Sequence, residues 1–206
     1  MLIVELAGTM AFAISGAMTG LSKRMDIFGI AILGLTTATG GGVVRDILLG
    51  SFPPAMFRNP VYAAVAIGTS IVIVLPIVRR LLARTRRFYT AILFFTDTFG
   101  LGIFTVVGVQ AAYLAGYENA FLAIFVGTIT GVGGGVLRDV LAGNTPYIFV
   151  KHIYACAAIA GALLCVLLWK SAGQTAAMFA GMGLIVAIRI LAAHFRWSLP
   201  KGSDEV

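Results

Sequence analysis

Two stretches of this 206-residue chain put the same groups side by side: GGGVVRDILLG from Gly40 and GGGVLRDVLAG from Gly133, identical at eight of eleven positions. Each sets three glycines ahead of an adjacent guanidinium and carboxylate, and every glycine weakens a helix by about 1 kcal/mol relative to alanine. Hydroxyls precede both triplets: Thr36, Thr37 and Thr39 in the first copy, Thr128 and Thr130 in the second. Threonine oxygens, and backbone carbonyls released where glycines interrupt a helix, are neutral hard ligands that can replace part of an alkali cation's hydration shell. Gly40, Gly41, Gly42, Gly133, Gly134 and Gly135 are accordingly expected to form hinges along an ion path, with the five threonines beside them. Any bound metal is expected to be a monovalent cation near those hinges. Small residues also let helices approach closely, but their placement at corresponding points of two copies favours the path.

Arg45, Asp46, Arg138 and Asp139 belong to the motif, and Glu5, Asp97 and Arg189 are further ionisable groups inside apolar stretches. Such groups are costly in a bilayer and are functional candidates by default, here as pore or gating charges. Other chemistries find no residues to carry them. No His, Cys or carboxylate spacing suits a transition metal, and Cys156 and Cys165 lie nine positions apart, on opposite faces of one helix. Glycines followed by Arg-Asp rather than Lys-Ser/Thr do not make a phosphate-binding loop, and no serine nucleophile elbow is present. The sequence predicts no enzyme, and no cofactor beyond a permeant ion.

Membrane helices must position these groups. Hydrophobic residues make up 60% of the chain and charged residues 11%, against about 45–50% and 25% in soluble domains. This predicts an all-α integral membrane protein with a single domain over 1–206. A span needs about 20 apolar residues, and seven stretches qualify: 3–22, 28–50, 60–78, 90–114, 119–142, 150–169 and 174–195. The opening MLIVELAG has no positive leader segment, so the first span is expected to be retained. Span one matches span four, Glu5 with Asp97, Phe12 with Phe104 and Gly16 with Gly108; the copies occupy 1–80 and 90–170, with 174–195 outside them. An odd number of spans per copy makes the second enter from the opposite face, giving an inverted 3+3 repeat plus a seventh helix.

Basic residues orient the chain. Lys23, Arg24, Arg79, Arg80, Arg84, Arg86, Arg87, Lys151, Arg196 and Lys201 fall on one side, against Arg58 and Lys170 on the other. By the positive-inside rule the N-terminus is outside and the C-terminus cytoplasmic. The net charge of +7 reflects topology and lipid contact rather than nucleic-acid binding, with Arg79, Arg80, Arg84, Arg86 and Arg87 as candidates for anionic headgroups. Inversion sets Arg45 level with Glu5 in the outer half and Arg138 level with Asp97 in the inner half, so the pairs Glu5–Arg45 and Asp97–Arg138 are expected. Neighbours such as Arg45 and Asp46 project about 100° apart on a helix, so Asp46 and Asp139 should find other partners. Arg189 could pair with Asp97 or Asp139, or reach the inner interface.

Paired spans carrying GGGxxRD, each followed by a Gly/Pro turn, resemble the prokaryotic members of the trimeric intracellular cation (TRIC) channel family, whose duplicated domain is also labelled a glycine transporter. The resemblance covers the chain to about residue 197. It implies a homotrimer in a bacterial or archaeal plasma (inner) membrane, each subunit with its own K⁺ or Na⁺ pore lined by kinked second and fifth spans. On that resemblance the triplet glycines are the kinks, and Arg45, Asp46, Arg138 and Asp139 the motif charges. The Lys-Glu-Val motif of animal members is absent from the second span, so their phosphoinositide binding and calcium-store role do not carry over. The alternative on the same scaffold is a secondary transporter of a small solute such as glycine. The label speaks for it, as does the attraction of a carboxylate to Arg45 or Arg138; the symmetric glycines suit a continuous path.

Overall fold

The computed structural model describes residues 2–82, 85–150 and 153–197, and among them every regular element is helical. Arg84, Lys151 and Lys201 of the basic set lie outside the described residues. In chain order the helices are α1 (Leu2–Ser22), α2 (Ile27–Leu48), α3 (Ala55–Arg58), α4 (Val61–Val74) and α5 (Pro76–Leu82). There follow α6 (Arg86–Leu114), α7 (Ala120–Leu141), α8 (Tyr147–Val150), α9 (Ala155–Leu168) and α10 (Gln174–His194).

Five of them, α1, α2, α6, α7 and α10, are long and apolar enough to cross a bilayer. The expected third span is not one straight helix. Pro76 has no N–H to donate and drives the residue before it out of the helical region; Leu75 takes φ −53°, ψ 137°, and α5 leaves α4 at 73°. The expected sixth span contains the 14-residue α9, about 21 Å long at 1.5 Å per residue. Side-chain caps start α2, α6 and α7: Asp26 accepts the Gly29 N–H at 2.7 Å, Thr85 that of Phe88 and Asn119 that of Leu122, both at 3.2 Å.

α2 and α7 end in the same way. Gly50 and Gly143 have φ of +68° and +65°, a conformation that glycine adopts without strain. The N–H groups of Ser51 and Asn144 donate to the Asp46 and Asp139 carbonyls at 2.8 Å, and those of Gly50 and Gly143 to Ile47 and Val140 at 3.1 Å. This Schellman closure accounts for the last glycine of each motif.

The triplet glycines do something else. α2 and α7 run unbroken through Gly40–Gly42 and Gly133–Gly135. The expected interruption, and with it the release of carbonyls as cation ligands, is therefore corrected. A methyl group on Gly41 would collide with the Thr130 carbonyl oxygen, and one on Gly134 with that of Thr37; one on Gly133 would lie 3.1 Å from Gly41 Cα. Position 37 meets 134 and position 41 meets 130, so the helices cross antiparallel, backbone against backbone. In an apolar medium the intrahelical hydrogen bonds have no substitute, and close contact between small residues offsets the low helix propensity of glycine.

The matched helices α1 and α6 also cross antiparallel. Gly8 faces Phe104, Gly100 faces Phe12, and the two rings lie 5.3 Å apart. α1 rests on α2 through Gly16 and α6 on α7 through Gly108; a Cβ at either would come within 2.8 Å of the facing Cα, Gly34 or Gly127. α10 rests on α6 and α9.

Gly41→Ala should therefore cost about 1–3 kcal/mol through overpacking. Gly183→Ala, where a Cβ meets nothing within 4 Å, should be neutral or slightly stabilising. Unfolding midpoints of the two variants in detergent check the contrast.

Candidate functional site

The joins after α2 and α7 place the motif aspartates. Pro54 and Pro146 precede α3 and α8, and the first N–H of each short helix donates to an aspartate: Ala55 to Asp46 Oδ2 at 2.7 Å, Tyr147 to Asp139 Oδ2 at 2.9 Å. The other oxygen of each accepts from the preceding residue, Arg45 Nε to Asp46 Oδ1 at 2.8 Å and Arg138 Nε to Asp139 Oδ1 at 2.9 Å. The expectation that these neighbours would not meet is thus corrected. Each carboxylate is turned toward its join, and the long arginine stem curls around the helix to reach it.

One charge cluster centres on Asp97. Its Oδ1 accepts from Arg138 Nη1 at 2.7 Å and from the Tyr154 hydroxyl at 3.4 Å; its Oδ2 accepts from Arg189 Nη2 at 3.0 Å. The expected Asp97–Arg138 pair is present, and of the open alternatives for Arg189 the structure takes Asp97. Arg138 Nη1 also donates to Ser15 Oγ on α1 at 2.5 Å, while Nη2 is buried with no hydrogen-bond partner among the described residues. The Arg138 guanidinium lies 4.9 Å from the Tyr147 ring centre, and that of Arg189 lies 4.7 Å from Tyr154 and 5.1 Å from Phe94, distances at which a cation is attracted to the ring. Two arginines thus face two aspartates, and the Arg138 and Asp97 side chains are each only 1% exposed.

The corresponding cluster at Glu5 is looser. Glu5 accepts from the Tyr62 hydroxyl rather than from Arg45, which corrects the expected Glu5–Arg45 pair. Asp46, fixed by α3, holds Arg45, whose side chain is 12% exposed. Glu5 and Arg45 both line a cavity of about 40 Å³ with Thr9, Thr39, Gly42 and Tyr62.

Of the residues singled out from sequence, Glu5, Thr39, Gly42, Arg45 and Asp46 gather at this cavity, and Asp97, Gly135, Arg138, Asp139 and Arg189 at the Asp97 cluster. Gly40, Gly41, Gly133 and Gly134 belong to the crossing. Thr37, Thr39 and Thr130 donate to the carbonyls of Leu33, Leu35 and Val126 at 2.6, 2.8 and 2.6 Å. Thr128 Oγ1 is buried with no hydrogen-bond partner among the described residues, and Thr36 is half-buried. Sequence reasoning missed Tyr62, Tyr154 and Ser15. The tyrosines stand ninety-two residues apart, as Glu5 and Asp97 do, so their spacing was a usable signal. Ser15 matches Val107 in the second copy, and nothing in the sequence marks it.

Known proteins resemble this chain over nearly its whole length. The family model described as Glycine transporter matches residues 2–76 and 94–170, the segments that hold the two clusters' paired helices and exclude α10. The UPF0126 inner membrane protein YadS of Escherichia coli K12 is 37% identical over 199 residues, 95% of this chain and 92% of that protein. A solved TRIC cation channel structure superposes with a TM-score of 0.87 at 33% identity, covering 99% of this chain and 98% of that one. The chain belongs to the prokaryotic TRIC channel family. A second TRIC structure, from Rhodobacter sphaeroides, agrees with a TM-score of 0.86 at 30% identity over 95% of this chain and 98% of that one. This TRIC-family chain is a membrane protein, and its buried charges sit inside a transmembrane helical bundle.

Removing one member of a buried, hydrogen-bonded charge cluster costs about 3–5 kcal/mol, so Asp97→Asn should destabilise by that order. Glu5→Gln, at a part-exposed site with one hydroxyl partner, should cost about 1–2 kcal/mol. Chemical denaturation of both variants in the same detergent measures the difference.

Proposed function

We propose that this chain forms a monovalent cation channel, permeable to K⁺ and Na⁺, as a homotrimer with one ion path in each subunit. The reading is carried by full-length likeness to a TRIC cation channel structure at 33% identity. The path follows the α2–α7 crossing rather than passing through gaps in either helix. Its outer end is the cavity at Glu5, where the carboxylates of Glu5 and Asp46 and the hydroxyls of Thr9, Thr39 and Tyr62 converge as hard oxygen ligands. Thr128 Oγ1, with no hydrogen-bond partner among the described residues, is a further oxygen beside the path. The Asp97–Arg138–Arg189 cluster closes the inner end, and conduction requires it to rearrange.

Seven crossings fit this reading: α1, α2, α4 with α5, α6, α7, α9 and α10. The antiparallel contacts of α1 with α6 and α2 with α7, and the recurrence of the Gly16–Gly34 contact as Gly108–Gly127, support an inverted 3+3 repeat with α10 added. The positive-inside rule puts the N-terminus outside a bacterial inner membrane. Headgroup contacts at Arg79, Arg80, Arg86 and Arg87, exposed in the structure, belong to the same reading.

Two observations favour a second reading. Glu5 and Arg45 present opposite charges to one small cavity, as recognition of a zwitterion such as glycine would require, and the matching family model carries a glycine transporter description. Purified protein in planar bilayers separates the two. The channel reading predicts unitary K⁺ currents whose amplitude falls in Glu5→Gln. Saturable glycine uptake with no unitary events would establish the carrier instead.

A further inference from the structure

The balance of charge around the cavity at Glu5 singles out one residue. Two carboxylates, Glu5 and Asp46, and one cation, Arg45, line this space of about 40 Å³, which leaves it a single negative charge. Arg45 turns to Asp46 rather than to Glu5: its Nε and Nη2 both lie 2.8 Å from Asp46 Oδ1, and the Ala55 N–H holds Oδ2 at 2.7 Å. Asp46 is therefore neutralised and hydrogen-bonded at both oxygens. Glu5 keeps the uncompensated charge, with Tyr62 on one of its oxygens. At the Asp97 end the balance differs, because Arg138 and Arg189 together match Asp97 and Asp139.

The hydroxyls of the cavity are set to receive a cation. Thr9 Oγ1 donates to the Glu5 carbonyl at 2.9 Å and Thr39 Oγ1 to the Leu35 carbonyl at 2.8 Å, so both protons are tied back to the helices and the lone pairs remain for the cavity. A space of this size admits about three water-sized bodies, so an entering ion sheds most of its hydration. The cost of that loss rises with the square of the ion's charge, whereas attraction to a fixed charge rises only in proportion. One net negative charge balances a monovalent ion. A divalent ion meets a fourfold desolvation cost with a twofold attraction, and leaves one positive charge unbalanced inside the bundle.

We propose that Arg45 is the residue that excludes divalent cations from the ion path, by cancelling the charge of Asp46 and so holding the cavity at one negative charge. Affinity for a divalent ion is tuned by the number of charged oxygen ligands. The cavity already contains two carboxylates with the hydroxyls of Thr9 and Thr39 beside them, and the Arg45 guanidinium is what keeps them from acting together. The inference rests on the reading of this cavity as one end of a cation path, and it assigns the discrimination to a charge rather than to the width of the opening.

Mn²⁺ is the probe, since electron paramagnetic resonance counts its free form. Full-length protein in neutral detergent is titrated, and Arg45→Gln should gain one Mn²⁺ site per chain, at least tenfold tighter than any binding by the wild type. The gained site should vanish in Arg45→Gln/Glu5→Gln and in Arg45→Gln/Asp46→Asn. Arg45→Lys, which restores the charge without the guanidinium's geometry, should exclude Mn²⁺ as the wild type does. Thr39→Asp leaves the Arg45–Asp46 pair in place and reaches the same charge by another route. It should gain the site too, and it carries the test if Arg45→Gln does not fold. Equal Mn²⁺ affinity in wild type and Arg45→Gln, a gained site that survives Glu5→Gln, or no gain in Thr39→Asp would overturn the proposal. In planar bilayers, Mn²⁺ should block the K⁺ currents of Arg45→Gln at a concentration at least tenfold lower than it needs for the wild type. Unitary K⁺ currents with equal block would overturn the role of Arg45 and leave the channel standing. A wild type without unitary currents would remove the channel reading, while the Mn²⁺ titration still reads the charge of the cavity on its own.

Discussion

The antiparallel crossing of α2 and α7 sets the rest of the structure. Two backbones meet there with no side chain between them, and only glycine leaves room for the carbonyls of Thr37 and Thr130. The crossing fixes how far Arg45 and Arg138 lie from the middle of the bundle, since each follows its last triplet glycine by three residues. It also fixes where α2 and α7 must stop, and the Schellman turns at Gly50 and Gly143 then deliver α3 and α8 to the waiting aspartates. One motif thus encodes a contact, a charge and a stop in sequence, and does so twice.

The two copies are nevertheless used unequally. Both ends have an acid, a tyrosine and an arginine–aspartate neighbour pair, but α10 adds Arg189 only to the Asp97 end. That single cation draws Asp97 into a closed, charge-balanced cluster with Ser15 of α1, whereas Glu5 keeps a hydroxyl partner and borders open space. Buried charges stay ionised only when paired, and the odd helix supplies the extra partner at the Asp97 end alone.

Much of this was legible in the sequence. Composition and apolar run length gave the long helices, and the depth argument for an inverted repeat found Asp97–Arg138 across forty-one positions. The errors share a cause: each treated residues by intrinsic preference and ignored what another segment brings. Glycine weakens an isolated helix, yet at a helix crossing it allows the contact that stabilises the helix. Arg45 and Asp46 diverge at Cβ, yet the N–H of Ala55 turns the carboxylate to where the guanidinium can reach it. Pro76 breaks the third apolar run although hydropathy continues through it. The tyrosine pair was visible in the ninety-two-residue spacing, while Ser15 emerges only once α1 lies beside α7.

Hydrogen–deuterium exchange of the two triplets in lipid nanodiscs addresses the crossing most directly. Unbroken helices in backbone contact predict that the amides of Gly40–Gly42 and Gly133–Gly135 exchange as slowly as those of the turns on either side. Exchange at both triplets as fast as in the joins at 51–54 and 143–146 would mean that the helices open there, and the crossing could not be the fixed frame on which the charges are hung.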